Sequence, residues 1–151
     1  MTSDLRDLYQ EVILDHQRHP RNFRVIPQPD RVTHGRNPLC GDELTIYLKL
    51  EGDVVRDVSF QGFGCAICMS SASLMTEHLK GKSMDEIETL FGSFHALLTD
   101  GRNDAPDFES LGKLRVFEGV RQFPVRVKCA TLPWHTLRAA VEGNGETVST
   151  E

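Results

Sequence analysis

Leu44-Thr45-Ile46-Tyr47-Leu48-Lys49-Leu50, then Glu51-Gly52-Asp53, then Val54 to Gln61, is the stretch whose reading decides the fold. Apolar and polar residues alternate in the first run with period two, the pattern of a strand with one buried face. Glu51-Gly52-Asp53 is a turn, and the second run sets Val54, Val58 and Phe60 on its inner side. The pair predicts a β-hairpin. A lone hairpin is marginal in water, so this one needs another strand or helices over its apolar face. After Gly62-Phe63-Gly64 the period becomes helical. Cys65, Cys68 with Met69, Ala72, Met75 and Leu79 share a face, and Gly81 is a suitable stop.

Outward from this stretch, Leu5, Leu8, Tyr9, Val12 and Ile13 recur at helical spacing until His19-Pro20 stops them. Residues 20–39 hold four prolines and read as a long connection with one short strand around Arg31–His34. On the other side, Ser83-Met84-Asp85-Glu86 is a capping box that opens a helix with Ile87, Leu90, Phe91, Phe94 and Leu98 inward. A polar loop from Asp100 to Asp107 precedes a short helix at about Phe108–Val120. A last helix starts near Pro124, carries Val125, Cys129, Leu132, Leu137, Ala140 and Val141, and ends at Gly143-Asn144-Gly145. Pro133 has no N–H to bond the carbonyl of residue 129, so a kink there is expected to help aim Cys129. The expected class is α+β: an N-terminal helix, a small antiparallel sheet of about three strands, then several helices packed on it. One domain is expected over residues 1–151, with 143–151 as a frayed tail.

Composition narrows the function classes. The chain has 151 residues, a formal charge of −5, 39% apolar and 26% charged residues. That length supports one core without a staple. The longest apolar run, Cys65 to Met69, is far short of the roughly 20 residues of a membrane span. Asp4, Asp7 and Glu11 stand where a signal peptide is basic and then apolar, so a cytoplasmic location is expected. Net acidity disfavours binding to a phosphate backbone, so neither nucleic acid nor membrane is an expected partner.

Four cysteines, at 40, 65, 68 and 129, carry the chemistry. In such a chain irregularly spaced cysteines point to metal or sulfur chemistry rather than to stapling. In Asn37-Pro38-Leu39-Cys40-Gly41-Asp42, a thiol and a carboxyl lie two apart on an irregular turn, and both are anionic metal ligands when ionised. Gly62-Phe63-Gly64-Cys65 puts a thiol where a strand hands over to a helix, and the unpaired N–H groups there favour a thiolate. Arg126-Val127-Lys128-Cys129 sets a third thiol beside two cations. All three segments lie at element ends, where distant parts of a chain can converge. A free cysteine taken singly is ordinarily a small buried hydrophobe. Packing is the expected role of Cys68, with a spare ligand or a thioredoxin-like Cys65-Ala66-Ile67-Cys68 pair as alternatives.

These three blocks, Asn37 to Asp42, Gly62 to Ile67 and Lys128-Cys129-Ala130, resemble the signature blocks of the IscU/SufU/NifU-N iron–sulfur assembly proteins, and the likeness runs from the first helix to about Glu142. The resemblance implies that Cys40, Asp42, Cys65 and Cys129 hold zinc or a nascent [2Fe–2S] cluster. It further implies that a cysteine among them accepts sulfur from a cysteine desulfurase. Within the family the chain is similar to the SufU-like branch. Lys128 replaces a histidine before the third cysteine, and Gln122-Phe123-Pro124-Val125-Arg126 replaces a Leu-Pro-Pro-Val-Lys run. Gly101-Arg102 opens an insertion of the SufU-like kind. Cys68 departs from a position where relatives usually carry serine.

The function this implies is a zinc-bound sulfur acceptor that takes persulfide sulfur from a desulfurase and passes it toward cluster assembly. The alternative is a scaffold that builds a [2Fe–2S] cluster and hands it to apo iron–sulfur proteins or downstream assembly factors. Whether it is an enzyme follows from that choice: a zinc-dependent sulfurtransferase in the first case, a non-enzymatic scaffold in the second. Charge does not separate them, because three thiolates and a carboxylate leave two net negative charges around either Zn²⁺ or a [2Fe–2S]²⁺ core. An acidic site calls for a nearby cation, and Arg126, one helical turn before Cys129, is the expected partner of Asp42 or a thiolate. Cys40 is the expected sulfur acceptor, since a Gly/Pro-framed loop moves more easily than a helix end.

Overall fold

The structure, a computed structural model, describes residues 2–99, 108–143 and 147–149. Helix α1 (Thr2–Arg18) leads to strands β1 (Arg31–Asn37), β2 (Asp42–Glu51) and β3 (Val54–Phe63). Helices α2 (Ala66–Leu79) and α3 (Met84–Thr99), a 3₁₀ segment (Phe108–Gln122), α4 (Pro124–Glu142) and β4 (Val148–Ser149) follow. The fold is α+β, as expected. Gly101-Arg102 and the rest of the expected polar loop lie outside the described residues. No described helix is long and apolar enough to cross a membrane.

The hairpin forms where its alternation placed it, with Gly52 at φ 64° in the turn. Its register slips once: Lys49 pairs with Asp57 and Leu50 with Val55, so Arg56 is an extra residue. This bulge moves the inward position from the expected Val54 to Val55, which is fully buried with Val58 and Phe60. The sheet order is β3-β2-β1-β4. It has four strands instead of about three and is mixed instead of antiparallel, because Val148 and Ser149 run parallel to Gly35 and Arg36. These two residues belong to the stretch expected to fray. Helix α4 brings the chain back beside β1, whose outer edge would otherwise offer unpaired peptide groups.

Leu44, Ile46, Leu48, Val55, Val58 and Phe60 form the buried face of the sheet, and α2 and α4 cover it. Gly35 lets α4 approach β1, since a Cβ there would collide with Thr136 and Leu132. Helix α2 is central, in contact with α1, α4, β3 and the 3₁₀ segment. Ser71 ties it to α4 by donating to the Ala130 carbonyl at 2.6 Å and accepting from Trp134 Nε1 at 3.2 Å. The capping box of α3 forms reciprocally: Ser83 N donates to Glu86 Oε1 at 2.9 Å, and Glu86 N to Ser83 Oγ at 3.2 Å. On α1 the inner face is Tyr9, Val12, Ile13 and His16, while Leu8 turns outward. The expected helix over Phe108–Val120 is 3₁₀ rather than α. Gly112, at φ 55° and ψ −126°, breaks the helical path inside it. Helix α4 runs through Pro133 and stops on Gly143 in the left-handed conformation.

Candidate metal centre

Asn37 ends β1 and Asp42 begins β2, and these two pair across a tight connection. The Asn37 carbonyl accepts from Cys40 N at 3.2 Å and from Gly41 N at 2.9 Å, while its side-chain Oδ1 accepts from Leu39 N at 3.3 Å. Gly41 closes the turn at φ 73°, a conformation that suits glycine. The turn holds Cys40 half-exposed. Asp42 is fully buried, with Oδ1 accepting from Cys65 N at 2.9 Å. Gly64 makes that contact possible, because a Cβ there would fall 2.6 Å from Asp42 Oδ1.

Cys65 is the N-cap of α2. Its Sγ accepts from the Cys68 amide at 3.4 Å and lies 3.9 Å from Asp42 Oδ2. Cys129, in the second turn of α4, is fully buried. Its Sγ is 3.1 Å from Cys40 Sγ and within reach of the Asn37 amide at 3.7 Å. Ligand atoms of Cys40, Asp42 and Cys129 all lie within 4.8 Å of one another. Cys65 is not within that mutual distance of all three, but its sulfur lies beside Asp42, 3.9 Å from Oδ2. Three separate segments of the chain therefore meet at one point. Cys68 is fully buried in the core behind it.

The electrostatics match an incomplete anion cluster. A hydrogen bond from the Cys129 thiol brings Cys65 down to about 6, helped by the Cys68 and Ile67 amides at the helix start and opposed by burial and the Asp42 charge. Cys129 is pushed up for the complementary reason, since as a thiol it donates to Cys65, and burial adds to the effect. Burial, followed by the charges of Asp42, Cys65 and Cys40, drives Cys68 well above the thiol range. A divalent cation reverses this local logic by stabilising every thiolate at once. The donor set suits such an ion. Three sulfurs and a carboxylate oxygen match structural zinc chemistry, where Zn–S is about 2.3 Å and ligands sit at the corners of a tetrahedron.

Arg126 reaches this cluster on its exposed side. A hydrogen bond to Cys129, with the neighbouring thiols adding to it, raises the guanidinium pKa. Of the two partners expected for Arg126, the structure selects the thiol rather than Asp42. Lys128 faces elsewhere and lines a cleft of about 440 Å³ with His95, His135 and Arg138. Asn37 was missed as a contributor to the site. Its signal was the asparagine before Pro38, a residue whose side chain readily bonds the backbone two positions on. Four large apolar side chains flank the ligand segments in exposed positions: Leu39 (64%), Phe63 (61%), Phe123 (60%) and Val125 (52%). An apolar cleft of about 690 Å³, lined by Tyr9, Ile13, Ile67, Val120, Phe123 and Arg126, opens beside them.

Known proteins are similar to this chain in sequence and in fold. The family model of the NifU-like N-terminal domain matches residues 8–130. The zinc-dependent sulfurtransferase SufU of Bacillus subtilis is 40% identical over 139 residues, which cover 92% of each chain. The iron–sulfur cluster assembly scaffold protein IscU of Thermotoga maritima is 35% identical, over 89% of this chain and 93% of its own. The crystal structure of a putative SUF-system scaffold protein from Fervidobacterium islandicum superposes with a TM-score of 0.81 at 35% identity, covering 87% of this chain and 94% of that one. On a family model that spans most of its length and relatives of this similarity, the chain belongs to the NifU-like N-terminal domain family, with SufU and IscU proteins among its relatives.

Proposed function

We propose that this protein is a zinc-bound sulfur acceptor of iron–sulfur cluster assembly, which receives persulfide sulfur from a cysteine desulfurase. The observation that carries this reading is the compactness of the ligand atoms, with Cys40, Asp42 and Cys129 inside 4.8 Å of one another. A single tetrahedral ion with Zn–S bonds of about 2.3 Å sets its ligand atoms roughly 3.8 Å apart, so three ligands this close can share one ion after small side-chain adjustments. The likeness to a zinc-dependent sulfurtransferase over nearly the whole chain supports the same choice.

Bound zinc keeps the thiols ionised and shields them from oxidation. Cys40, Asp42, Cys65 and Cys129 hold it. Cys40 is the acceptor, because Cys129 is buried on a helix and Cys65 is fixed as an N-cap, whereas Cys40 sits on a turn beside exposed Leu39. Its thiolate attacks the terminal sulfur of the desulfurase persulfide. A new S–S bond forms on Cys40, the old one breaks, and the desulfurase cysteine leaves as a thiolate. Asp42, Cys65 and Cys129 stay in place while Cys40 reacts. Arg126 offsets negative charge on the solvent side. Leu39, Phe63, Phe123 and Val125 provide an apolar rim for a docking partner, the kind of surface that solvent alone does not favour. The sulfur then passes to apo iron–sulfur proteins or to downstream assembly factors.

The test is metal and labile sulfide in anaerobically purified protein, together with desulfurase turnover with and without it. About one zinc per chain, no sulfide and strong stimulation is the expected result, lost in Cys40→Ala. Iron and sulfide in equal amounts, with little stimulation, makes the protein a cluster scaffold instead. Stimulation that survives Cys40→Ala moves the acceptor role to another thiol.

A further inference from the structure

Cys68 has no place in the chemistry just described, yet it is the nearest thiol along the chain to Cys65. The two lie in the first turn of α2, and Cys65 Sγ already accepts from the Cys68 amide at 3.4 Å. On an α-helix the Cα atoms of residues three apart are about 5 Å from each other, inside the about 4.4–6.8 Å that a disulfide spans. Cys65 is the non-helical N-cap, at φ −69° and ψ 167°, so a small backbone shift at the cap brings its Cβ close enough to Cys68 for a bond. Cys68 is fully buried and its thiol has no hydrogen-bond partner among the described residues, so rotation breaks no bond. On the far side of the cluster, Cys40 and Cys129 lie with their sulfurs 3.1 Å apart. The four thiols of the chain are all free: Cys40 and Cys129 are in contact, and Cys65, which also bonds Cys129, has Cys68 one turn along α2.

Counting explains why the fourth thiol matters. Three cysteines close one disulfide and leave one thiol over, open to irreversible oxidation or to cross-linking with another chain. A fourth in reach of the odd one makes the number even. We propose that under peroxide Cys65 and Cys68 form a reversible disulfide, with Cys40 and Cys129 closing beside them, so that an oxidised site releases its metal and stores its thiols as two intramolecular pairs.

The chemistry balances with peroxide as the only oxidant. The Cys65 thiolate attacks the peroxide O–O bond, which breaks to leave Cys65 sulfenic acid and hydroxide. Cys68 then attacks the sulfenic sulfur, an S–S bond forms, and the hydroxyl departs with the thiol proton as water. A second equivalent does the same for Cys40 and Cys129. Two equivalents of a dithiol reductant return all four thiols by exchange.

The experiment treats the full-length protein, as purified with its metal, with increments of hydrogen peroxide. It reads metal release with a chromogenic chelator, free thiols after denaturation, and disulfide positions by peptide mass mapping. We expect four titratable thiols to fall to none and to return to four with dithiothreitol, with no disulfide between chains and with Cys65 mapped to Cys68. In Cys68→Ala the odd thiol appears as sulfinic acid or in an intermolecular link, and the sulfinic fraction does not return. In Cys40→Ser the Cys65–Cys68 link still forms. The proposal falls if Cys68 in the unsubstituted protein still alkylates after Cys65 has been oxidised, or if Cys65 maps to Cys40 or Cys129. It also falls if Cys68→Ala recovers its thiols as fully as the parent. No desulfurase and no particular metal enters the readout, so the sulfur-acceptor reading stands or falls separately.

Discussion

Helix α2 carries two buried polar clusters, and their difference separates structure from function. Around its middle, His16, Ser73 and Thr76 are all buried, and each finds its partners inside the protein. His16 Nδ1 is 2.7 Å from Ser73 Oγ, Arg21 N donates to the same oxygen at 2.8 Å, and Asn22 Nδ2 donates to Thr76 Oγ1 at 3.0 Å. Burial, followed by the Arg21 charge, depresses the His16 pKa and keeps the ring neutral. At the N-terminal end of the same helix, three thiols and a carboxyl converge with few donors to share: the Cys65 and Cys68 amides, Asn37 Nδ2 and Arg126. Buried polar groups are ordinarily satisfied. The first cluster is complete in itself. The second is short of donors, which a bound cation would make good.

The largest effect follows from that contrast. Cys129→Ser removes the one fully buried thiol among the proposed ligands, and metal affinity is expected to drop by on the order of 100-fold or more, beyond what losing a supporting residue costs. The His16 cluster makes no contact with the ligands, so the fold should survive. A competition titration with a zinc chelator, paired with circular dichroism, checks both halves. Unchanged affinity would remove Cys129 from the ligand set.

His16→Ala inverts the pattern. It leaves the buried Ser73 hydroxyl with one partner fewer, at a cost of about 1–3 kcal/mol, with metal affinity unaltered. The pH dependence has a definite sign. Because the folded-state pKa lies below the ordinary histidine value of 6.5, the unfolded chain takes up the proton first as pH falls. Stability contributed by neutral His16 is therefore intact above about 6.5, and it declines as pH drops from there toward the folded-state value. Urea midpoints between pH 8 and 5 should fall less steeply in His16→Ala than in the parent. Equal slopes would show that another group carries the proton.

A smaller effect belongs to a residue with no side chain. In Gly64→Ala the new methyl group lands on Asp42 Oδ1, which the Cys65 amide holds in place. Asp42 must turn away and give up that bond. We expect metal affinity to fall by roughly tenfold, equivalent to about 1.4 kcal/mol. Gly41→Ala, between Cys40 and Asp42, has open space for its methyl group but a positive φ. It should cost stability more than affinity, and thermal melts beside the metal titration separate the two.

How far these features were legible before the structure depends on the range of the interaction that makes them. The Ser83–Glu86 capping box, the hairpin turn at Gly52 and the inward positions of α3 arise within a few residues and could be read directly. Placement of the cysteines at element ends was equally local. Their meeting was not: Cys40 and Cys129 are 89 positions apart, and only resemblance to a family joined them beforehand. The bulge at Arg56 escaped because period-two alternation assumes unbroken pairing. Strand β4 escaped because two residues carry no period, and their pairing depends on where α4 delivers the chain. Leu8 fits a helical stripe, yet it faces solvent because α1 packs through Tyr9, Val12, Ile13 and His16.

Arg126 gives the smallest effect and the finest division of the thiol end. Its guanidinium is exposed, so water screens its charge and its contribution to stability is slight. What it does have is a position: it meets the Cys129 thiol on the exposed side of the cluster. A cation there favours thiolate over thiol. In metal-free protein, Arg126→Gln should therefore move the pH midpoint of thiol alkylation upward by less than one unit, while Arg126→Lys keeps most of the parent value. Cys65, brought to about 6 mainly by its bond from Cys129, should remain the first thiol to react in all three proteins. If Arg126→Gln leaves the midpoint where it was, the guanidinium is a surface charge that happens to touch sulfur, and the balance of charge at this end must come from the bound metal alone.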